Sequence, residues 1–96
     1  MIAPIKHKNI PLGQIVATPA ALEALKQSGQ TPIEFLSRHR IGDWGNVCGE
    51  DWQTNDDAVE CGDRLLSAYK TRNDVKLWII TEWDRSATTI LLPEEY

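Results

Sequence analysis

RLLSAYK (64–70), KLWIITEW (76–83) and ATTILLP (87–93) decide how this chain folds. Each segment is rich in aliphatic, aromatic or β-branched residues, and the connectors TRND and DRS are short and polar. That is the pattern of consecutive hairpins, so a three-stranded antiparallel meander is expected. With Lys70 opposite Lys76 and Trp83 opposite Ala87, alternation sorts the side chains onto two faces. One face carries Ala68, Trp78 and Leu92, then Leu66, Ile80 and Ile90, then Arg64, Glu82 and Thr88. The other carries Tyr69 and Leu77, then Ser67, Ile79 and Leu91, then Leu65, Thr81 and Thr89. The first is apolar over two rows and ends in a charged rim, so the helices are expected to pack on it. A slip of one residue in either hairpin would reassign these rows.

Upstream, QIVA (14–17) reads as a short strand, and Thr18-Pro19 as a helix start. The helix AALEALKQS runs to Gly29 with Ala21, Leu22 and Leu25 on one side. Thr31-Pro32-Ile33-Glu34 has the capping-box pattern. It opens a second helix, PIEFLSRHR, with Ile33, Leu36 and Arg40 on one stripe and Phe35 and His39 beside it. Gly42 stops that helix, and GDWGNVCGE follows as a glycine-rich turn holding Trp44. It has neither GxGxxG nor Walker spacing, which excludes a phosphate loop. A third helix spans about Glu50 to Cys61, with Cys48, Trp52 and Val59 spaced to share a face and Gly62 as its stop. Glu50, Asp51, Asp56, Asp57 and Glu60 read as its solvated side. The order β-α-α-α-β-β-β makes an α+β fold with helices on one face of the sheet. The place of the first strand in the sheet is left open.

Ninety-six residues form one domain (1–96), of which 1–12 are expected to be extended or partly disordered. The net charge of −4 and pI near 5.0 argue against non-specific binding to phosphate backbones. The N-terminus lacks an apolar signal core and no run approaches the length of a membrane span, so a cytoplasmic protein is expected. Cys48 and Cys61 lie outside any CxxC arrangement and should stay reduced there. With His39 they lack metal-ligand spacing, so neither a metal nor another cofactor is expected. Ser67, Ser86 and the histidines offer no nucleophile elbow.

Two chemistries fit the polar residues. Glu82, Arg64 or Arg85, and His39 have the types needed for metal-independent RNA cleavage: a base for the 2′-hydroxyl, a cation for the phosphorane and an acid for the leaving oxygen. In layout this resembles small barnase-like and colicin-type ribonuclease toxins, which also place helices before an antiparallel sheet. Alternatively, Arg64 and Glu82 form a cross-strand ion pair and His39 packs beside Phe35. Candidate contact residues are Trp44, Trp52 and Trp83, with Tyr69 and Thr88 of the sheet.

PLGQIVATPAALEAL (11–25), RHRIGDWG (38–45) and RLLSAY…WIITEWDRSATTILLPEEY (64–96) together resemble a family of small, single-domain bacterial proteins, often encoded on plasmids and other mobile elements. Some members carry names that refer to restriction-modification. Here there is no methyltransferase motif, and the chain is too short for that catalytic domain. The resemblance implies recurring polar positions at His39, Asp43, Trp44, Asn55, Arg64, Ser67, Tyr69, Thr81, Glu82, Asp84, Arg85, Ser86 and Thr89. It implies no defined reaction. The expectation is an accessory protein of mobile elements, monomer or dimer, acting by contact with a protein partner. The alternative is the ribonuclease, with RNA as substrate.

Overall fold

The computed structural model describes residues 9–96. Three helices lie before and against one four-stranded mixed sheet: β1 (Gln14–Ala17), α1 (Pro19–Ser28), α2 (Pro32–Arg40), α3 (Gly49–Cys61), β2 (Leu65–Lys70), β3 (Lys76–Thr81) and β4 (Ala87–Leu91). A single 3₁₀ turn, Pro93–Glu95, follows. The meander β2-β3-β4 is antiparallel, and β1 adds to it beside β4 in parallel, giving the order β1-β4-β3-β2. The sheet is therefore one strand wider than the meander alone, and mixed.

The first hairpin has the expected register, Lys70 opposite Lys76. Thr71 organises its turn: its Oγ1 accepts from the amides of Asn73 and Val75. The second hairpin is slipped by one residue. Trp78 faces Leu91 and Thr81 faces Thr88, with the Glu82 amide donating to the Ala87 carbonyl. The turn is thus Trp83 to Ser86, one residue longer than DRS, and it closes because Arg85 adopts the left-handed region at φ 60°. Side chains alternate with period two, so this slip turns every residue of β4 over.

The helices pack on the face opposite to the one the apolar rows suggest. Leu65, Ser67 and Tyr69 of β2, Leu77, Ile79 and Thr81 of β3, and Thr88 and Ile90 of β4 are all buried. Ala21 and Leu25 of α1 with Phe35 and Leu36 of α2 fill the core against Tyr69, Leu77, Ile79 and Ile90. A second cluster gathers Ile10, Trp44, Ala58 and Leu65, with Trp52 and Val59 against it. The helix faces are rotated from expectation. Leu22 is exposed while Ala24 and Ser28 are buried, and Ile33 is 70% exposed in the first turn of α2. Cys48 is exposed, outside the face formed by Asn55 and Ala58.

Thr18 caps α1 as its position suggests, accepting from the Ala21 amide at 3.1 Å, whereas Thr31 makes no side-chain cap. The expectation for 1–12 falls partly outside the described residues. Within them, Ile10 is 4% exposed and its amide donates to the Arg40 carbonyl, so this stretch is packed. Both cysteines are free.

Candidate functional site

Helix α2 carries His39 into the sheet's covered face, where the ring is fully buried. Its Nδ1 lies 2.5 Å from Ser67 Oγ and its Nε2 lies 2.8 Å from Thr81 Oγ1. Thr81 Oγ1 lies 2.8 Å from Thr88 Oγ1, and the Thr88 hydroxyl donates to the Leu12 carbonyl at 2.7 Å. That last bond fixes the direction of the whole chain. Thr88 has one proton and gives it to Leu12, so it accepts from Thr81. Thr81 must then accept from Nε2–H, and Ser67 donates to Nδ1. The imidazole therefore carries a proton on Nε2, and it is the burial of the ring that keeps it neutral, with Nδ1 left to accept from Ser67. Burial, and then the Arg85 guanidinium, lower its pKa to about 4. Among the described residues no buried side-chain polar atom lacks a partner.

The rest of the polar set supports this chain. Trp44 is fully buried, meets the His39 ring edge-on at 5.5 Å, and donates Nε1–H to Asp56 Oδ1 at 3.0 Å. Tyr69 donates its hydroxyl to the Asp43 carbonyl at 2.5 Å, and burial pushes its pKa up to about 12. Asp43 pairs with Arg38 at 2.8 Å, whose guanidinium also lies 4.6 Å from the Tyr69 ring centroid. The Arg38 hydrogen bond lowers the Asp43 carboxyl below its ordinary value.

The loop 44–46 also closes the outer edge of β2. The Ala68 amide donates to the Trp44 carbonyl and the Asn46 amide to the Ala68 carbonyl. Asn55 occupies the neighbouring position like a strand: Nδ2 donates to the Leu66 carbonyl, and Oδ1 accepts from the Leu66 amide. Gly45 sits at φ 76°, and a Cβ there would stand 2.1 Å from the Ala68 carbonyl oxygen, inside the edge contact. Gly45→Ala is therefore expected to lose about 2–3 kcal/mol of stability through strain and overpacking. A urea midpoint equal to that of the unmodified chain would refute this contact.

The proposed cleavage residues are not brought together. His39 and Thr81 lie on the covered face, so Glu82, the next residue of an extended strand, turns to the other. Arg64 shares that other face with Glu82, but the guanidinium goes elsewhere. Its Nη2 donates to the Tyr96 hydroxyl at 2.5 Å. Among the described residues the one ion pair is Arg38–Asp43, so the Arg64–Glu82 pair is not formed. Arg85 is a tether, donating to the carbonyls of Ala58, Asp63 and Glu82. It holds the end of α3 to the second hairpin. Thr88, expected beside Arg64, belongs to the His39 chain instead.

The expected contact residues divide in the same way. Trp44, Tyr69 and Thr88 are buried and structural, Trp52 is half-buried, and Trp83 is 66% exposed at the hairpin tip. Of the positions singled out by resemblance, His39, Asp43, Trp44, Asn55, Ser67, Tyr69, Thr81 and Arg85 are internal hydrogen-bond or packing partners.

Two surfaces remain for binding. The first is the outer edge of β1. Gln14 and Thr18 amides bond to β4, so the backbone groups of Ile15 and Ala17 point away from the sheet. Beside that edge lies a groove of about 190 Å³ lined by Leu12, Ile15, Ile33, Leu36, Ser37 and Arg40. The second is the sheet face away from the three α-helices, where Ile80 and Leu91 are buried while Lys70, Lys76 and Tyr96 are exposed. Sequence reasoning missed the β1 groove because it placed Ile33 in the core. No protein-family model, curated protein or solved structure matches this chain.

Proposed function

We propose that this protein is a non-catalytic accessory module that takes an extended segment of a partner protein as an added strand along β1. The observation that carries the reading is the contrast between the two sheet edges. The β2 edge is filled by Trp44, Asn46 and Asn55, whereas no described residue pairs with the outer side of β1. An unpaired strand edge offers regularly spaced donors and acceptors, and the flanking pocket offers selectivity for side chains. Ile15 and Val16 are each 44% exposed on the strand, and Ile33 is exposed on the far wall of the groove. A partner segment with alternating apolar residues fits both features. The sequence resemblance supports a bacterial protein encoded on mobile elements. No helix among the described residues is long and apolar enough to cross a membrane.

The ribonuclease reading finds no support in the site, because both ring nitrogens of His39 are bonded inside the core. Selection from a random peptide library tests the preferred reading. Unmodified protein should enrich extended peptides with apolar residues at alternate positions. Ile15→Pro removes an outward amide without touching the β4 ladder, and Ile33→Asp places a charge in the groove. Each should weaken a selected peptide roughly tenfold, from the loss of one hydrogen bond or one apolar contact. Peptides that bind both variants undiminished would refute strand addition.

A further inference from the structure

The sheet face away from the three α-helices has an order of side chains that the β1 edge does not explain. Register places Lys70 directly opposite Lys76, both exposed, at one end of this face. Like charges opposed across a ladder are unfavourable, and no described carboxylate lies within ion-pair distance of either. The next row holds Trp78, half-buried, opposite the small Ala68 and Leu91. Tyr96 meets Trp78 edge-on at 5.6 Å and is itself 64% exposed. Beyond it the Arg64 guanidinium lies 5.5 Å from the Tyr96 ring centroid. From the lysine pair to Arg64 the sequence is cation, indole, phenol, cation, over about 20 Å of strand.

We propose that this face is a track for single-stranded nucleic acid, with Lys70 and Lys76 holding a phosphate and Trp78 and Tyr96 stacking bases. An anion between the two lysines relieves their repulsion. Aromatic rings on a sheet face stack two or three bases without reading their edges. Arg64 orders Tyr96 through the bond to its hydroxyl. Asp51 lines the same pocket as Arg64, and Glu82 stands across from it, so phosphates are kept to the lysine end. The charge asymmetry makes the expected ligand short and its binding only weakly dependent on salt. Two phosphate-facing cations give a slope near 1.4, or roughly a sevenfold loss of affinity between 50 and 200 mM salt.

The test is fluorescence anisotropy of labelled U10 RNA and dT10 DNA, with a base-free ribose-phosphate decamer and poly-glutamate as comparisons. Both base-bearing strands should bind, remain intact, and show the shallow salt dependence. Lys70→Gln with Lys76→Gln should weaken binding about 60-fold at 50 mM salt, the whole salt-dependent term at that slope relative to 1 M, and flatten the salt response. Tyr96→Leu, at an exposed ring, should weaken it about fivefold or more while leaving salt dependence in place. Trp78→Leu should do the same more strongly; should it unfold the protein, the other two variants decide. Equal binding of the base-free decamer, preference for poly-glutamate, no binding at 100 µM protein, or indifference to both the lysine and Tyr96 variants would overturn the proposal. The Ile33→Asp variant should bind U10 normally, since its groove is a separate surface.

Discussion

Replacing Trp44 by alanine is expected to destabilise the fold by about 3–5 kcal/mol, the usual range for a fully buried large aromatic. A chain of 96 residues has a total stability of about 5–14 kcal/mol, so this one change would take a large share. Three losses coincide at the site. The indole fills the cluster with Ile10, Ala58 and Leu65, its edge contact with His39 disappears, and the bond from Nε1 to Asp56 is broken. Trp44→Phe separates them, since it keeps most of the packing and loses only the donor, at a cost of about 1.5–3 kcal/mol. Trp83→Ala, at the exposed hairpin tip, should change stability by less than about 0.5 kcal/mol. Denaturation midpoints for the three variants check the order. A Trp44→Ala variant as stable as Trp83→Ala would mean that Trp44 is not in the core.

The second large effect is in pH. In the unfolded chain an imidazole takes its proton near pH 6.5, whereas in the fold His39 stays neutral down to about 4, because burial and then Arg85 disfavour its charge. Protons therefore bind the unfolded state first as pH falls. The stability is fully present above 6.5 and is lost progressively between 6.5 and 4, by about 3 kcal/mol in all. Protonation also reverses the Nδ1 bond, which Ser67 must then accept, while Nε2–H goes on donating to Thr81 and the hydroxyl chain to Leu12 keeps its direction. His39→Gln should be less stable at pH 7 yet lose little further stability between 6.5 and 4.5. Urea titrations at pH 7, 6, 5 and 4.5 measure both curves. A flat response in the unmodified protein, or the same slope in the variant, would remove His39 as the acid-sensitive group.

The first hairpin was legible in the sequence because its turn is local: Thr71 and the residues after it supply their own bonds. The second was not, because its extra residue depends on Arg85 in a left-handed conformation, a position where glycine or asparagine is the usual signal. Arg85 is kept there by carbonyls of Ala58 and Asp63, far away in sequence. The slip then hid the site. Ser67, Thr81 and Thr88 look like solvent-facing residues on any apolarity count. They lie in the core because one histidine from α2 joins them into a satisfied chain. For the same reason His39 looked like a catalytic acid in the sequence and is a buried strut in the fold. The helix order and the α+β class followed from caps and glycines, which are read within one or two turns. The rotation of α1 and α2 followed from packing, which is not.

The parallel pairing of β1 with β4 also sets a kinetic order. Almost the whole described chain separates these partners, while β2, β3 and β4 are joined by tight turns. Loop closure over that span is entropically slow, so the meander and helices can assemble early and β1 docks late. During synthesis the sheet cannot be finished until β4 leaves the ribosome, and from then until β1 docks β4 offers the bare flank that β1 will occupy. Misassembly, where it occurs, should take the form of one molecule lending its β1 to another's β4.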